Sequence, residues 1–94
     1  IFCASDLMAL GALQAIRALG KRVPEDISII GFDNIVAAQY CTPALTTVHQ
    51  DKYQMGYIAA ATLIDMLEGR QVQRYRKMPA ELILRGSTGP VRGT

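Results

Sequence analysis

Residues 27–33 of this 94-residue chain are Ile27-Ser28-Ile29-Ile30-Gly31-Phe32-Asp33, an apolar run that ends in a glycine and then supplies a carboxylate. The run does not alternate between apolar and polar residues, which is typical of a strand covered on both faces. A shorter apolar run, residues 1–4, is likewise followed by polar residues, Ser5 and Asp6. The sequence therefore predicts two buried strands, each with polar side chains beyond its carboxyl end.

The segment between these strands has the spacing of an amphipathic helix. Ser5 or Asp6 can cap its first turn, and Gly20 followed by Pro24 marks its end. The residues predicted to face the core are Met8, Ala12, Ala15, Ile16 and Leu19. A strand, a helix and a strand with short connections predict a right-handed βαβ unit, and hence an α/β fold with a parallel sheet flanked by helices.

The second half of the chain predicts a long helix. A loop with one helical turn near Val36–Tyr40 leads to a β-prone stretch at Leu45–Val48. Asp51 is the expected N-cap of the helix, which should end before Gly69. The residues predicted to form its core face are Met55, Ala59, Leu63 and Met66.

The C-terminal end predicts one more strand and a tail. The apolar residues of Glu81–Arg85 are typical of a strand. Residues 86–94 follow it, and we expect them to form a fraying tail.

Composition limits the classes of protein to which the chain can belong. Half of the residues are apolar and 19% are charged, so we expect a packed core rather than disorder. The net charge of +2 gives little indication of a polyanionic partner. No apolar run approaches the roughly 18 residues of a membrane span. The two cysteines, Cys3 and Cys41, are expected to be reduced. The chain starts within a predicted strand and without methionine, so we expect a fragment of a longer protein.

Polar residues that follow the strands are candidates for ligand binding. Ligands of open α/β sheets bind beyond the carboxyl ends of the strands, where Asp33 is the best-placed anchor. An ionised carboxylate has only acceptor atoms, and it suits a ligand that presents a pair of hydroxyl groups. Ser5 follows the other strand, although helix capping is the competing role for Ser5. Asp6 is expected mainly to lie at the helix N-terminus, where its charge suits the helix dipole.

No pattern in the sequence indicates catalysis or a cofactor. The single histidine, His49, has no metal-ligand partners and no nucleophile at a matching spacing. The sequence contains neither a phosphate-binding glycine loop nor a metal-ligand cluster. We therefore expect a binding domain without catalytic residues, metal or cofactor, and not an enzyme.

Five sequence motifs occur in a fixed order along the chain. They are Ala4-Ser5-Asp6-Leu7-Met8-Ala9-Leu10-Gly11-Ala12, Val23-Pro24-Glu25-Asp26-Ile27-Ser28, Gly31-Phe32-Asp33-Asn34, Pro43-Ala44-Leu45-Thr46-Thr47-Val48, and Pro79-Ala80-Glu81-Leu82 with Arg85-Gly86-Ser87-Thr88. In this order and spacing they resemble the C-terminal part of LacI/GalR-family transcriptional regulators, over essentially residues 1–90.

The resemblance implies a fragment of a two-lobed domain that is similar to type I periplasmic binding proteins. Residues 1–48 would belong to the C-terminal lobe, and residues 49–79 would cross over and supply a segment of the N-terminal lobe. Residues 80–94 would return to the C-terminal lobe as a strand and tail. A small polar effector, often a sugar or sugar phosphate, would bind between the lobes. It would change the affinity of a cytoplasmic homodimer for operator DNA, which binds an N-terminal domain that this chain lacks.

Three positions match effector contacts of the family, namely Ser5, Asp33 and Gln50. The family commonly has asparagine at the first of these. Because serine offers one hydroxyl in place of an amide, the effector or the water around it should differ from that of asparagine-bearing relatives. The resemblance also implies a dimer interface that includes Leu10, Gln14 and Tyr40.

A periplasmic sugar-binding protein of a transport system is the main alternative. It would share the two lobes but have no DNA-binding module. A helix-turn-helix at the start of the full gene would favour the regulator, and a signal peptide would favour the transport protein.

Overall fold

The extended segments of the N-terminal half lie side by side in a parallel arrangement. In the computed structural model, which describes residues 1–91, Ile30 is bridged to Phe2 on one side and to Thr46 on the other. Hydrogen bonds from Cys3 N to Ile30 O (2.8 Å) and from Gly31 N to Thr46 O (2.9 Å) join the three segments. The segment around Ile30 therefore lies between the other two. The predicted cover on both of its faces is incomplete, because Ile29 and Gly31 are buried whereas Ile30 and Phe32 are only half-buried.

The strands predicted at residues 1–4 and 27–32 are wrong in extent, and the first is also not buried, since Ile1 and Phe2 are 62% and 66% exposed. Both segments take part only in isolated bridges. The strands of the structure are β1, Thr47–Gln50, and β2, Ala80–Ile83, which pair with each other. The pairing around the central segment is short because a helix begins at Asp6, and because Asp33 leaves extended geometry with a φ of 116°.

Helix α1, Asp6–Ala18, begins and ends as predicted. Ser5 is its N-cap, and the Ser5 Oγ accepts a hydrogen bond from Met8 N at 3.2 Å. Gly20 follows the helix with a φ of 77°, a left-handed conformation that glycine adopts without steric cost.

The buried face of α1 differs from the predicted one. Ala9, Leu13 and Ile16 are buried, whereas Met8 and Leu19 are 62% and 78% exposed. The helix carries apolar residues around most of its circumference, so their spacing was compatible with more than one face. Asp6, the first residue of the helix, is fully buried. The three buried apolar residues follow it by three, seven and ten positions and therefore lie on the same side of the helix.

One hydrophobic core lies between α1 and the central segment. Helix α2, Ala37–Tyr40, forms where a helical turn is predicted, and it contributes one buried alanine. The core residues are Ala9, Leu13, Ile16, Ile29, Ala38 and Leu45. Full burial of a leucine or isoleucine side chain contributes about 1.5–3 kcal/mol, so the four leucine and isoleucine residues of this core provide much of the stability.

Helix α3, Lys52–Leu67, is capped by the residue that the sequence predicts. The Asp51 Oδ1 accepts a hydrogen bond from Gln54 N at 3.0 Å. Gly69 ends the helix with a φ of 78°. The local signals for both ends of α3 are therefore confirmed.

The core face predicted for α3 is wrong. No residue of α3 is fully buried, and Ala59, Leu63 and Met66 are exposed. The half-buried residues are Met55, Ile58, Thr62 and Asp65. These side chains help to line an open groove of about 650 Å³ between α3 and residues 71–78. The helix is apolar on nearly all sides, so spacing alone did not select one face.

The fraying tail predicted at residues 86–94 is also wrong for the part that the structure describes; residues 92–94 lie outside it. Ser87 is fully buried, and its Oγ donates a hydrogen bond to Ile29 O at 2.6 Å and accepts one from Thr46 N at 2.8 Å. Gly89 N donates a hydrogen bond to Ser28 Oγ at 3.0 Å. One buried hydroxyl therefore joins the end of the chain to two segments of the sheet.

Replacement of Ser87 by alanine is expected to lower the free energy of unfolding by about 1–2 kcal/mol, because it leaves Thr46 N–H and Ile29 C=O without their buried partner. Urea denaturation followed by circular dichroism measures this change. Thr42, which is exposed, offers a matched control, and Thr42→Ala should change stability by less than about 0.5 kcal/mol. Equal stabilities of the two variants would contradict the prediction.

The chain divides into two compact units. The first consists of Ile1–His49 and Glu81–Thr94, and the second consists of Gln50–Ala80. Their assignment to the two lobes of a larger domain stays a prediction. Among residues 1–91, no helix is both long and apolar enough to span a membrane.

Candidate functional site

A buried carboxylate lies at the end of the bridged segments in the first unit. Asp6 is fully buried, and its Oδ1 accepts a hydrogen bond from Thr47 Oγ1 at 2.6 Å. Its Oδ2 accepts a second one from Ile35 N at 2.8 Å. The backbone N–H of Asp6 donates to Phe32 O at 2.9 Å. Asp6 therefore connects the start of α1, through hydrogen bonds, with Phe32 before Asp33 and with Ile35 after it.

The turn that carries Asp33 has an uncommon backbone conformation. Asp33 and the next residue, Asn34, have φ angles of 116° and 58°, which few residues other than glycine adopt. Such geometry persists only where the surrounding contacts hold it. Asp33 N donates to Val48 O at 2.9 Å, and Asn34 N donates to Thr47 Oγ1 at 3.3 Å. These bonds and the Asp6 carboxylate hold the turn in place.

Arg85 connects the C-terminal segment to this turn. Its guanidinium donates to Asn34 Oδ1 at 2.8 Å and to Leu45 O at 3.0 Å. Its backbone N–H donates to Thr46 Oγ1 at 2.9 Å. The Asn34 Nδ2 lies 3.2 Å from His49 Nδ1. Polar contacts therefore connect the residue after Asp33 with β1 and with the C-terminal segment.

The structure brings two of the three predicted effector contacts close together. Ser5 and Asp33 are both half-buried, and the hydrogen bond from Asp6 N to Phe32 O joins their neighbours in the sequence. Gln50 is half-buried at the end of β1, and it is the first residue of the second unit. A role for any of them in effector binding stays a prediction.

The three predicted interface residues lie on α1 and α2. Gln14 is exposed and Tyr40 is 77% exposed, whereas Leu10 is half-buried against the core. Leu10 and Gln14, but not Tyr40, line a groove of about 480 Å³ together with residues that include Arg17, Cys41 and Thr42. Their participation in a dimer interface stays a prediction.

Sequence reasoning missed most of the network. It assigned Asp6 mainly to the helix terminus and gave no role to Asn34 or Arg85. A carboxylate two positions after an apolar run was the one available signal for Asp6. No local pattern could have found Arg85, because its contact with Asn34 joins residues 51 positions apart.

The chemistry of this site is that of hydrogen bonding. It combines carboxylate, amide, hydroxyl, imidazole and guanidinium groups, which suit the recognition of a polar molecule. Among residues 1–91, no three histidine, cysteine, aspartate or glutamate side chains are grouped so that they could hold a metal ion.

Comparison with known proteins gives consistent matches. A family model for the periplasmic binding protein-like domain matches residues 1–88. The HTH-type transcriptional repressor CytR of Escherichia coli (strain K12) is 52% identical over 89 residues, which are 94% of this chain and 26% of the repressor. The chain therefore spans about a quarter of the length of this relative.

Solved structures of LacI-type regulators have the same fold. The LacI family transcriptional regulator from Enterococcus faecium, with bound ribose, has a TM-score of 0.84 and 34% identity, over 97% of this chain and 34% of that one. The lac repressor dimer bound to operator and an anti-inducer has a TM-score of 0.85 and 36% identity, over 93% of this chain and 30% of that one.

Proposed function

This chain belongs to the periplasmic binding protein-like family, within its LacI/GalR-type transcriptional regulators, and we propose that it serves as part of an effector-binding and dimerisation region. The observation that carries this proposal is the turn of Asp33. A half-buried carboxylate follows the central segment of a parallel arrangement, and a dedicated polar network holds its backbone.

The proposed effector is a small polar molecule of the sugar class. Asp33 supplies acceptor atoms for hydroxyl groups, and Ser5 adds a hydroxyl that already caps α1. The ribose bound to the regulator from Enterococcus faecium supports this class of ligand. Gln50 remains a third candidate contact, and the family resemblance alone supports it.

We propose that the full-length protein is a cytoplasmic homodimer. It would bind operator DNA through a DNA-binding domain outside this chain. The similarity to a lac repressor dimer on its operator supports this part of the proposal. Exposed residues of α1 and α2, among them Gln14 and Tyr40, would take part in the dimer interface. The named relatives are transcriptional regulators, which favours this function over sugar transport and over catalysis.

Replacement of Asp33 by alanine is expected to weaken effector binding by about 1–3 kcal/mol, because hydrogen bonds to a carboxylate are lost. A thermal-shift screen of the intact regulator with ribose, glucose, galactose and their monophosphates identifies the ligand, since a molecule that binds the native state raises its stability. Calorimetry with that sugar then measures the affinity.

Asp33→Asn separates the loss of charge from backbone strain, because asparagine tolerates a positive φ. It should weaken binding while the protein keeps its melting temperature within a few degrees. Glu25 is exposed in the same unit, and Glu25→Ala serves as the control that should leave affinity unchanged. Full affinity in both Asp33 variants would refute the assignment.

A further inference from the structure

The hydrogen-bond partners of Asn34 determine which way its amide points. Arg85 has only donor groups, so the atom of Asn34 that faces its guanidinium at 2.8 Å must be the carbonyl oxygen. The NH2 group of the same amide then faces His49 Nδ1 at 3.2 Å. Because an NH2 group only donates, His49 Nδ1 must accept, and the ring proton must be on Nε2.

The other nitrogen of the ring is available to a ligand. Within residues 1–91, Nε2 has no hydrogen-bond partner, and no buried side-chain polar atom lacks one, so Nε2 is not fully buried, in line with the half-buried state of His49. A parallel bridge pairs His49 with Asp33, which places both residues at the same level of neighbouring segments. The His49 imidazole and the Asp33 carboxylate therefore belong to two paired residues at this end of the first unit.

We infer that His49 is a specificity-determining residue of the effector site, and that Arg85 and Asn34 hold it as an Nε2–H donor. This inference rests on the proposed function, because the ligand in question is the proposed effector. The effector would present a hydrogen-bond acceptor, such as a ring or carbonyl oxygen, to His49 and hydroxyl donors to Asp33. Asn34 and Arg85 are positioning residues, since they act through the imidazole.

The tautomer can be measured without any ligand. His49 is the only histidine of the chain, so long-range ¹H–¹⁵N correlation spectra of the ¹⁵N-labelled chain in mildly alkaline buffer show one ring. We expect an unprotonated Nδ1 and a protonated Nε2. A protonated Nδ1 in the unmodified chain would overturn the inference.

A free imidazole also favours the Nε2–H form, so the spectrum of the original chain does not by itself show that Asn34 holds this tautomer. Two variants of Asn34 make the distinction. Asn34→Asp puts an acceptor against Nδ1 and should move the proton to that atom. Asn34→Gly removes the side chain, tolerates the φ of 58°, and should give a mixture of tautomers. Arg22→Met, which removes an exposed guanidinium of the same unit, should leave the tautomer unchanged. An unchanged ring in both Asn34 variants would overturn the positioning role.

The effector contact is tested in the intact regulator with the sugar that stabilises it most in the screen above. His49→Phe keeps a ring but removes the donor, and should lower affinity about 5- to 30-fold. Unchanged affinity would refute the role of His49 while leaving the proposed function intact. If no sugar of the panel stabilises the regulator, the proposed effector class fails, and with it the effector role of His49.

Discussion

Replacing Asp6 by alanine is expected to lower the free energy of unfolding by about 3–5 kcal/mol, the largest loss among the substitutions considered. The carboxylate is fully buried and accepts hydrogen bonds from Thr47 Oγ1 at 2.6 Å and Ile35 N at 2.8 Å. Hydrogen bonds to a charged group contribute about 1.5–3 kcal/mol each, and their loss leaves two buried donors without partners. Urea denaturation followed by circular dichroism measures the loss.

Two further variants make this prediction specific. Asp6→Asn keeps the size of the side chain, and should cost less, because the amide oxygen still accepts one of the two bonds. Asp65→Ala removes a partly exposed aspartate that pairs with Arg70 at the surface, and should change stability by less than about 1 kcal/mol. If Asp6→Ala were no more destabilising than Asp65→Ala, the buried network would not be a main source of stability.

Replacing Gly31 by alanine is expected to destabilise the chain by about 2–4 kcal/mol, because there is no room for a methyl group. A Cβ at this position would lie against Asp6 Oδ1, 2.9 Å from Leu45 Cδ2 and 3.3 Å from Asp6 Cα. The glycine is required by this close approach of the buried carboxylate to the central segment. Thermal and urea denaturation measure the effect.

Gly11→Ala provides a matched control in the same unit. A Cβ at Gly11 would meet no atom within 4 Å, and alanine favours the helix interior by about 1 kcal/mol, so this variant should be more stable than the original chain. The cost of Gly31→Ala should also fall when Asp6 is already alanine, since the principal steric conflict is then removed. Additive effects of the two substitutions would contradict this explanation.

Signals confined to neighbouring residues correctly predicted the helices, their ends and the parallel pairing of the N-terminal segments. Asp51 was identified as a helix cap, the cap of α1 was narrowed to Ser5 or Asp6, and Gly20 and Gly69 were identified as helix ends, because capping depends on groups within one turn of the chain. The parallel pairing of this region was also predictable, because a strand, a helix and a strand with short connections indicate a βαβ unit.

Buried faces were not predictable in the same way. Both long helices are apolar on most sides, so residues such as Met8 and Leu63 were assigned to a core that they do not reach. The end of the chain was expected to fray, yet Ser87 is buried between Ile29 and Thr46. These outcomes depend on which segments pack together, and spacing along one helix or tail carries no such information.

The candidate site also has one part that the local sequence predicts and another that depends on tertiary contacts. The sequence by itself determined that Asp33 follows a buried parallel segment, since the chemistry of that position depends on a few adjacent residues. Only the tertiary structure decided how its turn is held, because the contacts of Asp6 with Thr47 and of Arg85 with Asn34 join residues 41 and 51 positions apart. Hydrogen bonds between residues so far apart in the sequence form only when packing has brought their segments together. No local sequence pattern can therefore predict them.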